Sequence, residues 1–258
     1  MKRSFMKIKP PVYQHPEMDG ASFTLEGTKF PNCALLFIHG FTATTVEVRL
    51  IADIFHSKGF SVSGPLLPGH GLSPQDLNRK NWKDWAKSVN DAYVSLRKTH
   101  KVVFVFGESM GALLSLWLAS NHSEIRKIFL FSPALVINGL WVSKLLWPFK
   151  SYIYKKNTDD TMAWQGYNVV PLRAAASLHD FQQKVKRLLP LINSETFIFQ
   201  GKMDTTINTN SAQLVYDGIS SPKKKLTWLD ESRHCILLDK QLDFVVDTCL
   251  LEILKEIG

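Results

Sequence analysis

The 258-residue sequence predicts an α/β fold with a mostly parallel central sheet and helices on both faces. Short runs of mostly apolar residues recur along the chain, and segments with helical periodicity separate them. Strands of a parallel sheet are covered on both faces, so they are nearly continuous apolar runs without a polar alternation. Such an alternation of strands and helices is typical of α/β proteins.

Five apolar runs predict the buried strands of this sheet. They are residues 34–38 (ALLFI), 102–106 (VVFVF), 127–131 (KIFLF), 196–199 (TFIF) and 225–229 (KLTWL). Residues 59–63 (GFSVS) form a weaker strand candidate between the first two. In such a sheet, ligands bind at the carboxyl ends of the strands.

Four helices are predicted between and after these strands. Apolar residues recur with helical spacing from Trp82 to Leu96, and Asn81 is placed to cap that helix. The other three helices are predicted over residues 110–120, 211–219 and 242–257. For the last of them, the expected inner face consists of Phe244, Val245, Leu251 and Leu254.

The stretch of residues 135–195 interrupts this pattern. It has helical patches but no clear strand, so we expect an insertion between two sheet strands. The predicted organisation is therefore one core domain, residues 1–134 and 196–258, with a small insertion at 135–195.

Composition excludes several classes of protein. Hydrophobic residues make up 45% and charged residues 21% of the chain, which are globular values. The two longest runs without charge have 17 residues and contain Pro and Gly, so no membrane span is expected. The net charge of +8 is scattered along the chain and no nucleic-acid motif accompanies it, so we expect no nucleic-acid partner.

The cysteines and the N-terminus point to a reducing compartment. Cys33, Cys235 and Cys249 are odd in number and have no CxxC spacing, so neither a disulfide framework nor a zinc site is expected. The N-terminal MKRSFMKIKPP is basic but has no apolar segment behind it, unlike a signal peptide. We therefore expect a cytoplasmic protein.

A G-x-S-x-G pentapeptide supplies the candidate nucleophile. It reads GESMG with Ser109 at its centre, and it lies between a predicted strand and a predicted helix. A serine on such a sharp turn has strained backbone angles and needs small neighbours, which Gly107 and Gly111 supply. The turn would lift the Ser109 hydroxyl above the sheet and aim the helix N-terminus at the site.

A serine hydroxyl needs a base, and the base needs an acid that holds its tautomer. Of eight histidines, His234 lies directly after the last predicted strand, at the edge where Ser109 is expected. Asp204 also follows a strand and is the predicted acid. Asp230 and Glu231 are alternative acids, although their closeness in sequence to His234 makes the geometry awkward.

Acyl transfer also needs hydrogen-bond donors for the developing oxyanion. The expected pair is the backbone N–H of Phe41, in the loop after the strand 34–38, and the backbone N–H of Met110. His39 is then expected to brace that loop, and His70, in the PGHG segment, to shape the wall of the site.

The motifs HGF, PGHG, GESMG, GKMD and SRH, in this order, resemble the α/β-hydrolase superfamily from about Ala34 to the C-terminus. They are most similar to its small carboxylesterases and bacterial-type monoacylglycerol lipases, and the chain order Ser109, Asp204, His234 is that of the superfamily. The sequence departs from the family at Arg233, where a small residue is common. The resemblance implies a serine ester hydrolase without metal or organic cofactor.

By the same resemblance, residues 135–195 would form a cap over the acyl site. This segment is rich in aromatic residues, and Trp141, Trp147 and Phe149 are expected to bind substrate in an apolar trough. Lys144 and Lys150 would face solvent or an anionic lipid surface. The predicted substrates are short-to-medium acyl esters. Thioesterase, carbon–carbon hydrolase and non-catalytic binding functions remain alternatives, and the sequence does not determine the oligomeric state.

Overall fold

A computed structural model describes residues 12–155 and 162–257 of the chain. The basic N-terminal segment and six residues of the predicted insertion, 156–161, lie outside the described residues. The elements follow one another in the alternating order that the sequence predicts.

Eleven strands are present in the described part of the chain. In order they are β1 (Tyr13–Gln14), β2 (Phe23–Leu25), β3 (Cys33–Ile38), β4 (Ser61–Gly64), β5 (Val102–Glu108), β6 (Lys127–Phe131), β7 (Tyr152–Tyr154), β8 (Gly166–Tyr167), β9 (Val169–Pro171), β10 (Glu195–Gly201) and β11 (Lys224–Leu229). Seven of them form the central sheet in the order β11-β10-β6-β5-β3-β4-β2. Only the edge strand β2 runs antiparallel to its neighbour, which confirms the predicted mostly parallel sheet.

Eight α-helices lie in residues 12–155 and 162–257 together with these strands. They are α1 (Val46–Ser57), α2 (Pro74–Asn78), α3 (Trp82–Arg97), α4 (Met110–Asn121), α5 (Ser143–Leu146), α6 (Leu172–Leu188), α7 (Asn210–Gly218) and α8 (Leu242–Ile257). Short 3₁₀ turns lie at Leu140–Val142, Leu189–Leu191 and Ile236–Leu238. As predicted, Asn81 caps α3, by accepting a hydrogen bond from the backbone N–H of Lys83 at 2.9 Å.

The sheet separates two apolar clusters. On one face, α3, α4, α6 and α7 pack their apolar residues against the strands. On the other face, α1 and α8 cover a row of phenylalanines that neighbouring strands place side by side. Phe106, Phe129 and Phe197 belong to this row, and their rings stack at centroid distances of 4.5 and 5.2 Å. Burial on both faces explains why the central strands are mainly apolar. The prediction of a buried strand over residues 225–229 is wrong in this respect, because β11 is an edge strand and only its last residue, Leu229, is buried.

The inner face predicted for α8 is wrong for three of its four residues. Val245 is buried, but Phe244, Leu251 and Leu254 are at least 39% exposed. The buried residues of the helix are Leu242, Val245, Val246, Cys249 and Ile253. The helix is apolar around much of its circumference, so sequence periodicity did not distinguish the stripe that the sheet covers.

The predicted insertion also contains strands that the sequence analysis did not predict. β7 pairs with β9, β8 pairs with β1, and each pair has only two or three residues per strand. Such short strands carry too little periodicity to be seen in sequence. Helix α6 of the same segment buries Leu178, Phe181 and Val185 in the apolar cluster of α3 and α4. The segment is thus packed directly onto the sheet domain.

Candidate active site

Ser109 lies on a strained turn between β5 and α4. Its backbone has φ 57° and ψ −112°, in the half of the map that non-glycine residues rarely enter. The flanking glycines permit the turn. A Cβ on Gly107 would lie 2.3 Å from the carbonyl oxygen of Gly111, and a Cβ on Gly111 would lie 2.0 Å from that of Ile38. The backbones of β5, α4 and β3 therefore lie too close together for a side chain at Gly107 or Gly111.

The structure brings Ser109, His234 and Asp204 together in one chain of hydrogen bonds. His234 Nε2 lies 2.9 Å from Ser109 Oγ, and His234 Nδ1 lies 2.7 Å from Asp204 Oδ2. All three side chains are largely buried. Because a carboxylate can only accept, Nδ1 carries a proton and Nε2 is free to accept one from Ser109. This is the arrangement that activates a serine hydroxyl.

Asp204 is held as a carboxylate by donors on both oxygens. Oδ1 accepts from the backbone N–H of Thr206 at 2.8 Å and of Ile207 at 3.2 Å, while Oδ2 also accepts from Gln200 Nε2 at 3.1 Å. Burial alone would raise the pKa of Asp204, but the charge and hydrogen bond of His234 and the two backbone donors together lower it.

The alternative acids do not occupy this position. Asp230 pairs with Lys202 Nζ at 2.5 Å, and its side chain is 74% exposed. Glu231 is also exposed. Both lie at the end of β11, where they point to solvent before the chain turns back towards Ser109.

The loop after β3 and the first turn of α4 each place one unused N–H group beside the serine. Among the hydrogen bonds of residues 12–155 and 162–257, neither the Phe41 nor the Met110 N–H donates to another group of the protein. Met110 is the first residue of α4, and the first N–H groups of a helix have no partner within it. Both donors, predicted from the sequence, are therefore available to an oxygen at this point.

His39 braces the same loop, in the position expected for it. Its Nε2 accepts a hydrogen bond from the backbone N–H of Leu67 at 3.0 Å, so its Nδ1 carries the proton and donates to the Gly40 carbonyl at 2.9 Å. Burial lowers the pKa of His39 to about 4, and the ring is neutral. The ring of His70 packs edge-on against His39.

Sequence reasoning missed Glu47, in the first turn of α1. Its side chain is 3% exposed, and its Oε2 accepts a hydrogen bond from the Gly40 N–H at 2.5 Å. A sequence signal was present, because Glu47 lies on the same helical stripe as the buried Val48, Ile51 and Phe55. A carboxylate on an apolar stripe has to find buried donors, since an unpaired buried charge is costly.

Trp141, Trp147 and Phe149 lie on the outer surface of the insertion. They are 55%, 43% and 89% exposed, so they do not line a closed trough. Leu145 and Leu146, between them in sequence, are exposed as well. The chain here forms two short helical turns that are too small to bury all their apolar residues.

In residues 12–155 and 162–257, no helix combines the length and the apolar character needed to cross a membrane. Within the same part of the chain, no group of three or more His, Cys, Asp or Glu residues could hold a metal ion.

Comparison with known proteins assigns this chain to a family. The family described as serine aminopeptidase S33, Hydrolase_4, matches residues 30–165 and 165–241. A carboxylesterase of Bacillus subtilis is 29% identical over 82% of this chain and 88% of its own length. A thermostable monoacylglycerol lipase of Bacillus sp. strain H-257 is 28% identical over 95% of this chain and 99% of its own length.

Among solved structures, one of the metagenome-derived lipolytic enzymes LipS and LipT superposes with a TM-score of 0.86 at 25% identity, covering 92% of this chain and 98% of the other. The chain therefore belongs to the Hydrolase_4 family, and it is a serine hydrolase of the esterase and lipase group with the α/β-hydrolase fold.

Proposed function

We propose that this protein hydrolyses carboxylic esters through an acyl-enzyme formed on Ser109. The observation that carries the proposal is the hydrogen-bond chain Ser109–His234–Asp204, with the free N–H groups of Phe41 and Met110 beside the serine. A nucleophile, a base, an acid that orients the base and a pair of oxyanion donors are the four parts that acyl transfer requires.

In the first half-reaction, His234 Nε2 takes the proton of Ser109 as Oγ attacks the ester carbonyl. The carbonyl oxygen becomes an oxyanion, which the N–H groups of Phe41 and Met110 stabilise. Asp204 stabilises the imidazolium that forms. The tetrahedral intermediate then collapses, and His234 gives its proton to the departing alcohol.

In the second half-reaction, a water molecule takes the place of the alcohol. His234 removes its proton as the water oxygen attacks the acyl carbon, and the same N–H groups hold the second oxyanion. Collapse returns the proton to Ser109 Oγ and releases the carboxylic acid. The residues of the chain supply every step, and no cofactor takes part in this proposal.

Residues 135–195 would serve as the cap over this site. Support comes from their contacts with Thr42, which follows Phe41. Lys155 Nζ donates to Thr42 Oγ1 at 2.8 Å, and the backbone N–H of Tyr167 donates to the Thr42 carbonyl at 2.9 Å. The segment thus reaches the edge of the oxyanion loop and limits the space in which a substrate can lie.

The substrates we propose are short-to-medium acyl esters, including monoacylglycerols. The names of both Bacillus relatives refer to ester hydrolysis, since one is a carboxylesterase and the other a monoacylglycerol lipase. A capped site would exclude bulky triacylglycerols. Each acyl methylene buried in an apolar site contributes about 0.8 kcal/mol, so selectivity should rise with chain length until the site is full.

We further propose that the outer surface of the cap makes transient contact with anionic lipid. Trp141, Trp147 and Phe149 form its exposed apolar part. Beside Trp147 is an open groove of about 250 Å³ whose charged lining residues, Arg79, Lys150 and Arg173, are all basic. Exposed tryptophans next to basic side chains are typical of proteins that bind at the surface of an anionic bilayer.

Co-sedimentation with vesicles tests this contact. Binding to vesicles of phosphatidylcholine and phosphatidylglycerol should exceed binding to phosphatidylcholine alone, and Phe149→Ala with Lys150→Ala should abolish the difference. Equal binding to both compositions, or no binding to either, would contradict it.

Three free thiols, Cys33, Cys235 and Cys249, fit the cytoplasmic location that we propose.

The activity is tested by hydrolysis of p-nitrophenyl esters from acetate to palmitate. We expect turnover that is highest at short-to-medium length. Acyl-coenzyme A thioesters and an aminoacyl p-nitroanilide, measured in parallel, separate ester hydrolysis from thioester and peptide-bond cleavage. Faster turnover of either class than of every ester would overturn the proposal.

A further inference from the structure

A buried carboxylate connects three separate parts of the active site. Glu47 Oε2 accepts from the backbone N–H of Gly40, in the oxyanion loop. Its Oε1 accepts from Trp164 Nε1 at 3.2 Å, in the proposed cap, and from the thiol of Cys235 at 3.7 Å, next to His234. One side chain from α1 thus contacts the oxyanion loop, the cap and the histidine loop.

These contacts fit the ionised form of Glu47. All three partners donate, and a carboxylate only accepts, whereas a protonated carboxyl would bring a donor of its own into a site of donors. The neighbouring acid Glu108 differs, because its Oε1 accepts from the backbone N–H of Leu237 while its Oε2 has no partner among the described residues. Burial raises the pKa of both acids, but the donors on Glu47 and the charge of His234 oppose the rise there, whereas the charge of Glu47 raises the pKa of Glu108 further. Because Glu47 has the larger set of donors, we place the single negative charge of the pair on Glu47.

The position of Glu47 is close to the reaction. A Cβ on Gly40 would lie 2.9 Å from Glu47 Oε2 and 3.1 Å from the Cβ of Ser109. Gly40 is therefore held between the carboxylate and the nucleophile, with room for a hydrogen atom only. A side chain at this position would displace one or the other.

Two buried side chains, His39 and Glu47, form hydrogen bonds with Gly40 and so fix the direction of the Phe41 N–H. The Gly40 carbonyl and the Phe41 N–H belong to one planar peptide group. His39 donates to that carbonyl at 2.9 Å, and Glu47 holds the N–H at the other end of Gly40. With both ends of Gly40 bound, the peptide that carries the oxyanion donor has one orientation.

We infer that Glu47 is a positioning residue for ester hydrolysis, whose carboxylate fixes Gly40 through its N–H and thereby helps to orient the next peptide, so that the Phe41 N–H faces the oxyanion. The inference rests on the proposed function. It assigns to Glu47 no contact with substrate and no proton transfer, because its effect on the reaction passes through Gly40.

Glu47→Gln tests this role. Glutamine keeps the size of the side chain, but it loses the charge and one of its two acceptors, so it cannot satisfy all three donors. We expect kcat on p-nitrophenyl butyrate to fall about tenfold to a hundredfold, less than the loss of a whole oxyanion donor, with KM nearly unchanged. Affinity for a trifluoromethyl ketone, which Ser109 converts to a tetrahedral hemiketal oxyanion, should fall by a similar factor.

Val48→Ala is the matched control. Val48 is the next residue of α1 and is fully buried, but its side chain is apolar, packs in the cluster between α1 and the sheet, and cannot accept a hydrogen bond from Gly40. We expect this variant to lose thermal stability while it keeps the wild-type kcat and ketone affinity. If Glu47→Gln does not fold, Glu47→Asp replaces it, because aspartate keeps the charge but is too short to reach Gly40.

The outcomes separate the inference from the function on which it rests. If the wild type hydrolyses no ester, the proposed function fails. If the wild type is active and the Glu47 variant keeps kcat within twofold, Glu47 does not position the loop. A fall in kcat with unchanged ketone affinity would also overturn the inference, because the loss would then arise outside the oxyanion site.

Discussion

Asp239 accepts three hydrogen bonds from Arg233, the residue directly before His234. They come from the backbone N–H at 2.7 Å, from Nε at 3.1 Å and from Nη2 at 3.1 Å. The carboxylate is 2% exposed. Arg233 was the departure from the family pattern noted in the sequence, and the structure gives it a role, because the pair ties the histidine loop to the turn before α8.

Asp239→Asn should therefore destabilise the protein. An amide offers one acceptor oxygen in place of two and turns an NH₂ group towards the guanidinium. We expect the free energy of unfolding to fall by about 1–3 kcal/mol near neutral pH, as measured by urea denaturation. Asp247→Asn, an exposed position on α8, should change it by less than about 0.5 kcal/mol. Equal effects of both substitutions would contradict this account.

The same pair should make stability depend on pH in the acid range. Burial would raise the pKa of Asp239, but its hydrogen bonds and the charge of Arg233 together lower it. A carboxyl group with a lowered pKa in the folded state stabilises the fold fully above its unfolded pKa of about 3.9, and loses this contribution as pH falls through the folded value. The stability difference between wild type and Asp239→Asn should be constant near neutral pH and shrink below about pH 4. A difference that grows on acidification would have the wrong sign.

Ser109→Ala should abolish ester turnover and leave the fold intact. Loss of the nucleophile of a triad costs on the order of a million-fold in kcat. A fluorophosphonate probe should label the wild type once, at Ser109, and not label the variant. Ser115→Ala is the control, because Ser115 is a buried serine of α4 whose hydroxyl donates to the Gly111 carbonyl. More than a few per cent of residual activity in Ser109→Ala would refute the assignment.

Asp204→Asn should lower kcat by roughly ten-thousand-fold, because asparagine favours the wrong tautomer of His234. Asp230→Asn and Glu231→Gln should retain nearly wild-type rates, since both side chains are exposed to solvent. The measurement is kcat on p-nitrophenyl butyrate for the three variants. If either exposed acid proves essential and Asp204 does not, the acid of the triad has been misassigned.

The exposed rings of the proposed cap should matter for lipid that is presented at a surface. Replacing Trp141, Trp147 or Phe149 by Ala should lower activity on monoacylglycerol in anionic vesicles more than activity on dissolved p-nitrophenyl butyrate. The reason is that bilayer binding depends on the exposed apolar area that these rings supply. A shortened acyl-length profile on dissolved esters would instead place the rings along the acyl chain. Loss of thermal stability alone would mean that they only pack the cap.

Local sequence predicted the sheet because the signals of its strands are short-range. Residues 127–131 are apolar apart from Lys127 and are followed by the polar Ser132, and the strand has the same limits in the structure. The GESMG turn is equally local, because Gly107 and Gly111 are the residues that a strained serine turn needs. Helices α1 and α2 and strands β1 and β2 were not predicted. The last two have only two or three residues, too few for a recognisable period.

The sequence by itself determined the fold class, the order of the motifs and the chemical identity of the candidate nucleophile, base and acid. Only the tertiary structure decided which face of α8 is buried and that the rings of Trp141, Trp147 and Phe149 are exposed. It also decided that the Glu47 carboxylate accepts a hydrogen bond from the Gly40 N–H. The physical reason is that the apolar periodicity of a segment shows which of its residues are able to be buried. Which of them are buried, and which hydrogen bonds they form, depends on residues far away in sequence that pack against the segment. Gly40 and Glu47 are seven residues apart, but β3 and α1 bring their polar groups together only when the helix packs on the sheet.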